Sequence, residues 1–230
     1  MRMFSKTWRL LVAVWIAAVL AGCQSAPKAP LATYNSVEDR QRDLQALTAW
    51  TATGRIALSS PTEGFSAAMD WRQVNADYDV ELTALLGQRA LRVTQQGVQA
   101  LLKSPGRAAV TGNDAELLLL NELGVRVPLS QMSFWIKGLP GNVARPQYDD
   151  GGRLLRLEYT DQDGTPWVAD FKTYQRVGEL DLPSRVDIAG RDYKIRLLVR
   201  NWLIVPVAKP ETQPAPEAPS TPGRLQIPNA

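Results

Sequence analysis

WTATGRIALSSPTEGFSAAMDWR, residues 50–72, changes character at every second residue. Trp50, Ala52, Gly54, Ile56 and Leu58 alternate with Thr51, Thr53, Arg55, Ala57 and Ser59. After Pro61-Thr-Glu-Gly64, a turn by composition, Phe65, Ala67, Met69 and Trp71 alternate with Ser66, Ala68, Asp70 and Arg72. A period of two puts one residue set on each face of a strand, so this stretch reads as a hairpin with one apolar face. The pattern continues outward. Tyr78, Val80, Leu82 and Ala84 form a third strand that ends at Leu85-Leu86-Gly87. Leu91 and Val93 mark a fourth, and Val98 to Leu102 a fifth after the Gln96-Gly97 turn. Beyond the middle of the chain, strands are expected over Leu154–Thr160, Trp167–Phe171, Leu182–Ile188 and Tyr193–Trp202, with turns at Asp163-Gly164 and Ala189-Gly190-Arg191.

Strands with one apolar and one polar face belong to an antiparallel sheet whose apolar side must be covered. The covering material is short. Ser36-Val-Glu-Asp39 resembles a capping box opening a helix to about Leu47, with Val37, Leu44 and Leu47 on one side. Asn113 with Glu116 resembles another, followed by Leu117 to Leu120 and Leu123, with Gly124 as the left-handed stop. Ser130 is expected to open a third helix carrying Met132, Trp135 and Ile136, closed by Gly138-Leu-Pro-Gly141. A sheet of this many strands curls, and helices this few and short cover its concave side without filling it. The expected fold is therefore mainly β (α+β), with an apolar cavity between a curled sheet and a helical lid.

Composition removes whole classes of chemistry. There is no histidine, which excludes Ser-His-Asp and Cys-His catalysis and the usual histidine-containing zinc sites. Paired carboxylates stay available, but no spacing singles out such a pair. No cofactor or metal is expected, and no catalytic residue is assigned.

The single cysteine, Cys23, follows Leu20-Ala-Gly22 at the end of an apolar run from Leu10 to Leu20, itself preceded by Arg2, Lys6 and Arg9. That is the layout of a secretory signal, and a run this short falls below the roughly 20 residues that cross a bilayer. The Leu-Ala-Gly-Cys ending resembles a lipobox, which implies cleavage before Cys23 and acylation of that residue. Residues 1–22 are then the signal peptide, and 23–35 a lipid anchor with a flexible Pro-containing tether. Residues 36–205 are the folded domain, and 206–230 a disordered tail holding seven of the 16 prolines. The formal charge of +3 belongs to the signal: without it, 23 cationic side chains face 23 anionic ones, so no nucleic-acid partner is expected. Several acyl chains on one cysteine hold a protein to a membrane effectively permanently. Gln24 stands where the sorting rule for such proteins has aspartate as an inner-membrane retention signal, which points to the outer membrane.

The hairpin ending in Trp71, Leu85-Leu86-Gly87, Trp135-Ile-Lys-Gly-Leu-Pro-Gly141 and Asn201-Trp202-Leu-Ile204, in this order behind a lipobox, resemble the LolB family of outer-membrane lipoprotein receptors. The resemblance covers nearly the whole folded part, and Trp-Ile-x-Gly-Leu-Pro-Gly is its most specific piece. It implies a half-open antiparallel β-barrel with a helical lid, lipid-anchored and facing the periplasm as a monomer. Such a receptor accepts acylated proteins from a LolA-like periplasmic chaperone and places them in the inner leaflet of the outer membrane. It also implies that Leu86, flanked by Leu85 and Gly87, enters the membrane; the family's proline is replaced here by Leu85. Alternation together with that architecture proposes Ile56, Phe65, Met69, Trp71, Leu82, Leu117, Leu120, Trp135 and Ile136 as lining of an acyl-chain cavity. The alternative readings are an envelope carrier for lipids or glycolipids, and a lipid-anchored cell-wall enzyme using two carboxylates.

Overall fold

The structure is a computed structural model that describes residues 30–204 apart from 33, 35, 63, 85–88, 125–126 and 142–143. The expected signal, Cys23, Leu85, Leu86, Gly87 and the Pro-rich tail lie outside the described residues. Among the described residues no helix is long and apolar enough to cross a membrane.

The chain runs through helix α1 (Val37–Gln45) and strands β1 (Ala49–Ser59), β2 (Gly64–Val74), β3 (Asp77–Thr83), β4 (Arg89–Gln96), β5 (Gln99–Lys103) and β6 (Val110–Gly112). Helices α2 (Ala115–Leu123) and α3 (Leu129–Trp135) follow, then β7 (Ala144–Tyr148), β8 (Leu154–Thr160), β9 (Pro166–Val177), β10 (Leu180–Ala189) and β11 (Lys194–Ile204). All strands join one antiparallel sheet in the order β6-β5-β4-β3-β2-β1-β11-β10-β9-β8-β7. The two margins, β6 and β7, do not pair with each other, so the barrel is open. The helices α2 and α3 are the covalent link between those margins. Mainly β architecture with a half-open sheet and a helical lid is therefore as the sequence indicates.

Both margins were missed by periodicity. β6 has three residues, too few to show a period, and β7 carries Pro146 between Arg145 and Gln147. Proline cannot donate to a ladder and is confined to sheet edges, which is where β7 lies. Two helix starts also shift. Asp114, not Asn113, caps α2, its Oδ1 accepting from the N–H of Glu116 at 2.8 Å and of Leu117 at 3.2 Å. The α3 helix starts one residue earlier than Ser130, behind Pro128.

The seam between β1 and β11 joins the two halves of the sheet, and Gly54 sits at its register shift. A Cβ there would stand 1.8 Å from the carbonyl oxygen of Leu198, so the strands can approach this closely only with glycine.

Helix α1 starts as its sequence indicates, with Ser36 Oγ accepting from the Asp39 N–H at 3.0 Å. It is held down by a buried cation. Arg40 is fully buried, donates Nη1 to the Gly138 carbonyl at 3.2 Å and Nη2 to the Asp181 carbonyl at 2.9 Å, and lies between the rings of Tyr34 and Tyr174. Burial lowers its pKa from the ordinary arginine value, a loss the two rings and Asp181 counter. Gly138 has φ +82°, and a Cβ on it would press on Nη2 at 3.0 Å and on the Pro183 ring at 3.3 Å. The glycine of the Trp-Ile-Lys-Gly-Leu-Pro-Gly run is thus where helix α1 docks. Truncating Arg40 to alanine strands two buried carbonyls and opens a gap. The expected cost is about 2–3 kcal/mol, read as a lower urea midpoint at unchanged slope.

Candidate functional site

Register fixes which residues share the inner face. One cross-sheet row is Trp202, Ala52, Trp71, Val80, Val93 and Leu102. On one side of it, Gly54, Met69, Leu82 and Leu91 form an apolar row, with Ile56 and Ala67 beyond. On the other side the row is Ile204, Trp50, Gln73, Tyr78, Gln95 and Ala100. The inner face is therefore greasy along most of its length and edged at one end by amide and phenol groups.

The two amides are occupied, one by an indole and the other by the lid. Gln73 Oε1 accepts from Trp71 Nε1 at 2.9 Å, and Gln95 Oε1 accepts from the Ala115 N–H at the start of α2 at 3.0 Å. The rings of Trp50, Trp71, Trp202 and Tyr78 form a chain, with centroids 5.9 Å apart for Trp50–Trp71, 5.3 Å for Trp50–Trp202 and 6.3 Å for Trp71–Tyr78. Offset and tilted rings at such spacings add to the area they bury.

Helix α2 lies on β4, β5 and β6, and buries Ala115, Leu118 and Leu119. Gly124 ends it in the left-handed conformation at φ +69°. Helix α3 buries Leu129, Met132 and Trp135, and reaches the other wing, where Trp135 meets Tyr159 of β8 edge-on at 5.7 Å. Trp135 Nε1 donates to the Pro140 carbonyl at 3.3 Å. The two helices are fastened at their starts, since both the N–H and the hydroxyl of Ser130 donate to Glu116 Oε1, at 2.9 and 2.7 Å.

The nine proposed lining residues do not behave alike. Met69, Trp71, Leu82, Trp135 and Ile136 are buried in one apolar core, Ile56 and Leu120 are half-buried, and Phe65 lies on the inner face near the strand end with 37% of its surface exposed. Leu117 is 39% exposed, and its neighbours Leu118 and Leu119 are the leucines of α2 that are buried. A run of four leucines has no period, so only the docking of α2 selects which two turn inward. A residue at 0% exposure, as Trp135 and Ile136 are, touches no water-sized space, so the lid is closed on the sheet over these residues. Depressions of about 470 and 290 Å³ lie elsewhere, the first lined mostly by polar residues such as Asp39, Arg42 and Arg176, the second by Lys103, Ser104, Pro105, Arg107 and Ala109.

Lys137 was not singled out from sequence, because a lysine reads as surface. It is 91% buried, donating Nζ to the Leu47 carbonyl at 3.0 Å and resting 6.0 Å from the Phe134 ring. Burial lowers its pKa from the usual 10.5. Between that lowered value and 10.5 the unfolded chain binds more protons than the folded one, so this group's contribution to stability rises with pH. Lys137→Met removes the dependence. The variant strands the Leu47 carbonyl but no longer buries a charge, so paired urea titrations are expected to show its stability flat from pH 7 to pH 10 while the parent's rises.

The family described as "Outer membrane lipoprotein LolB" matches residues 48–202. Curated relatives include outer-membrane lipoprotein LolB of Alkalilimnicola ehrlichii, 32% identical over 86% of this chain and 98% of that one, and of Tolumonas auensis, 28% identical over 84% and 95%. Among solved structures, a LolA superfamily protein from Nitrosomonas europaea superposes with a TM-score of 0.48 at 9% identity, covering 76% of this chain and 96% of that one. The matched region starts just ahead of β1 and ends inside β11, so it contains β1 to β10, most of β11 and both lid helices. The chain belongs to the LolB family of outer membrane lipoproteins.

Proposed function

We propose that this chain is the receptor that takes acylated proteins from a LolA-like periplasmic chaperone, shelters their acyl chains between sheet and lid, and inserts them into the inner leaflet of the outer membrane. Family membership carries the coarser statement by itself: the chain serves lipoprotein localisation at the outer membrane, as a carrier rather than an enzyme. The observation that supports the finer one is an inner face made of Trp71, Met69, Leu82 and their neighbours, covered by two short helices rather than by a second sheet. Apolar contact is non-directional, so such a face accepts acyl chains of any conformation at roughly 0.8 kcal/mol per buried CH₂. No bond is made or broken, and transfer needs only that each site hold the chains better than the last.

In this reading Cys23 carries the anchoring acyl groups, and Leu86, with Leu85 and Gly87, enters the bilayer. Strand register supports the placement of that loop, since the connection between β3 and β4 leaves the sheet at the end away from the Gln73–Tyr78–Gln95 row. The deciding experiment loads the chaperone with an acylated protein, adds the mature chain without its own lipid, and follows the cargo. Movement onto this chain, and then into added liposomes, is expected. Cargo that stays on the chaperone refutes the reading, and uptake of free phospholipid without any handover favours an envelope lipid carrier.

A further inference from the structure

Five tryptophans lie among the described residues, and three have an acceptor for the indole N–H. Trp71 donates to Gln73, Trp135 to the Pro140 carbonyl, and Trp167 to Asp161 Oδ2 at 3.1 Å. Trp50 and Trp202 do not: both Nε1 atoms are buried without a partner. These two are neighbours, with ring centroids 5.3 Å apart, on adjacent strands of the inner face. Trp50 is 98% buried. A stranded buried donor costs roughly 1–3 kcal/mol, and folded proteins keep few of them. Two side by side therefore describe a missing acceptor.

The surroundings define what that acceptor is. Leu47, Ala52, Trp71 and Ile204 are apolar, and the orphaned groups are donors only, so the ligand is mostly hydrocarbon with one or two acceptor oxygens and no donor to satisfy. No carboxylate is needed, because a neutral donor pair in an apolar setting favours a neutral acceptor. The position fits as well. Trp50 stands in the row that edges the greasy face with Gln73, Tyr78 and Gln95, where the polar end of an amphiphile whose tails run over Trp71, Met69 and Leu82 would sit. We propose that the paired indole N–H groups of Trp50 and Trp202 are a donor site for the ester carbonyl oxygens of fatty-acyl chains, and that they hold the glyceryl end of a lipid-modified cargo. The proposal rests on the carrier reading above and adds the atoms that recognise the head of the ligand.

The test uses the mature-length chain, expressed without its lipid and labelled with ¹⁵N, and two synthetic lipopeptides that differ only in ester or ether linkage of two acyl chains. The ester form is expected to bind about tenfold more tightly, the effect of two modest net hydrogen bonds. It should move the indole signals of Trp50 and Trp202 downfield while those of Trp71, Trp135 and Trp167 keep their hydrogen-bonded positions. Trp50→Phe and Trp202→Phe should each lower ester affinity and leave ether affinity nearly unchanged. Equal binding of both lipopeptides with no movement of the two signals means that water serves these donors, and overturns this proposal while the carrier reading survives. Failure of both lipopeptides to bind overturns the two together. A diester phospholipid of the same chain length is the competitor: if it occupies the pair more tightly than the lipopeptide does, the assignment to cargo is wrong.

Discussion

Gly54→Val is expected to leave little or no folded protein at 25 °C, with loss of the near-ultraviolet tryptophan signal. The reason is local and severe. A Cβ at residue 54 would stand 1.8 Å from the Leu198 carbonyl oxygen, 2.9 Å from its carbon and 3.0 Å from the Val199 Cα, all backbone atoms that no rotamer can move aside. Relief requires β1 and β11 to separate at the register shift, and that seam is the only ladder between the β1–β6 and β7–β11 halves among the described residues. It also aligns Ala52 with Trp202 and Trp50 with Ile204, so separation opens the ring chain beside it. Overpacking in a core typically costs 1–3 kcal/mol. Here the clash is with main chain at a central seam, so the estimate is about 5 kcal/mol, comparable to the whole stability of many domains. Gly54→Ala meets the same oxygen and should fail nearly as badly. A variant that unfolds within 1 kcal/mol of the parent would mean that the strands do not approach this closely.

Leu86→Glu is the second large effect, and it is one of function. In the proposed reading this leucine is pushed into hydrocarbon during delivery, while uptake of cargo uses the inner face of the sheet. Placing a carboxylate at a site that enters a bilayer costs on the order of 2–3 kcal/mol. Delivery of acylated protein to liposomes should therefore slow by tenfold or more, with circular dichroism, urea midpoint and acceptance of cargo from the chaperone close to the parent's. Leu86→Phe should deliver normally, which separates greasiness from the identity of leucine. Normal delivery by the glutamate variant would show that membrane entry uses another part of the molecule.

The sequence is most informative where one face is buried and the other wet. In β1 and β2 every second residue is forced inward, so Trp50, Ala52, Met69 and Trp71 announce themselves and the register follows. The margins are silent for a physical reason: β6 is too short for a period, and β7 is built of Arg145, Pro146 and Gln147, residues suited to an unpaired edge and poor in the marks of a strand. The cap of α2 slips by one because Asn113 and Asp114 are both able to accept from a helix N-terminus, and only the backbone decides. Among the proposed lining residues, those on strands share the register rows of the inner face, whereas the leucine run of α2 buries Leu118 and Leu119 and leaves Leu117 exposed, since alternation is strict in a sheet and a leucine run is ambiguous on a helix. Arg40 and Lys137 escaped because charge suggests exposure. The signal that could have found them is the Lys-Gly pair inside the Trp-Ile-Lys-Gly-Leu-Pro-Gly run, where Lys137 Nζ meets the Leu47 carbonyl and the Gly138 carbonyl meets Arg40. The pairing of Trp50 with Trp202 joins residues from the two ends of the sheet's chain path, and no local pattern carries it.

Because β6 and β7 stay unzipped from each other, the vessel they bound can change its girth by twisting, with every rung of the ladder kept intact. A sealed barrel would have to break hydrogen bonds to admit a bulkier guest. Here the adjustment falls on the helical bridge between the margins and on its small clasp, Glu116 with Ser130, where two exposed hydrogen bonds can be traded for water at little expense. In the proposed reading, one fold can in this way take in clients of unequal bulk and close again once they leave.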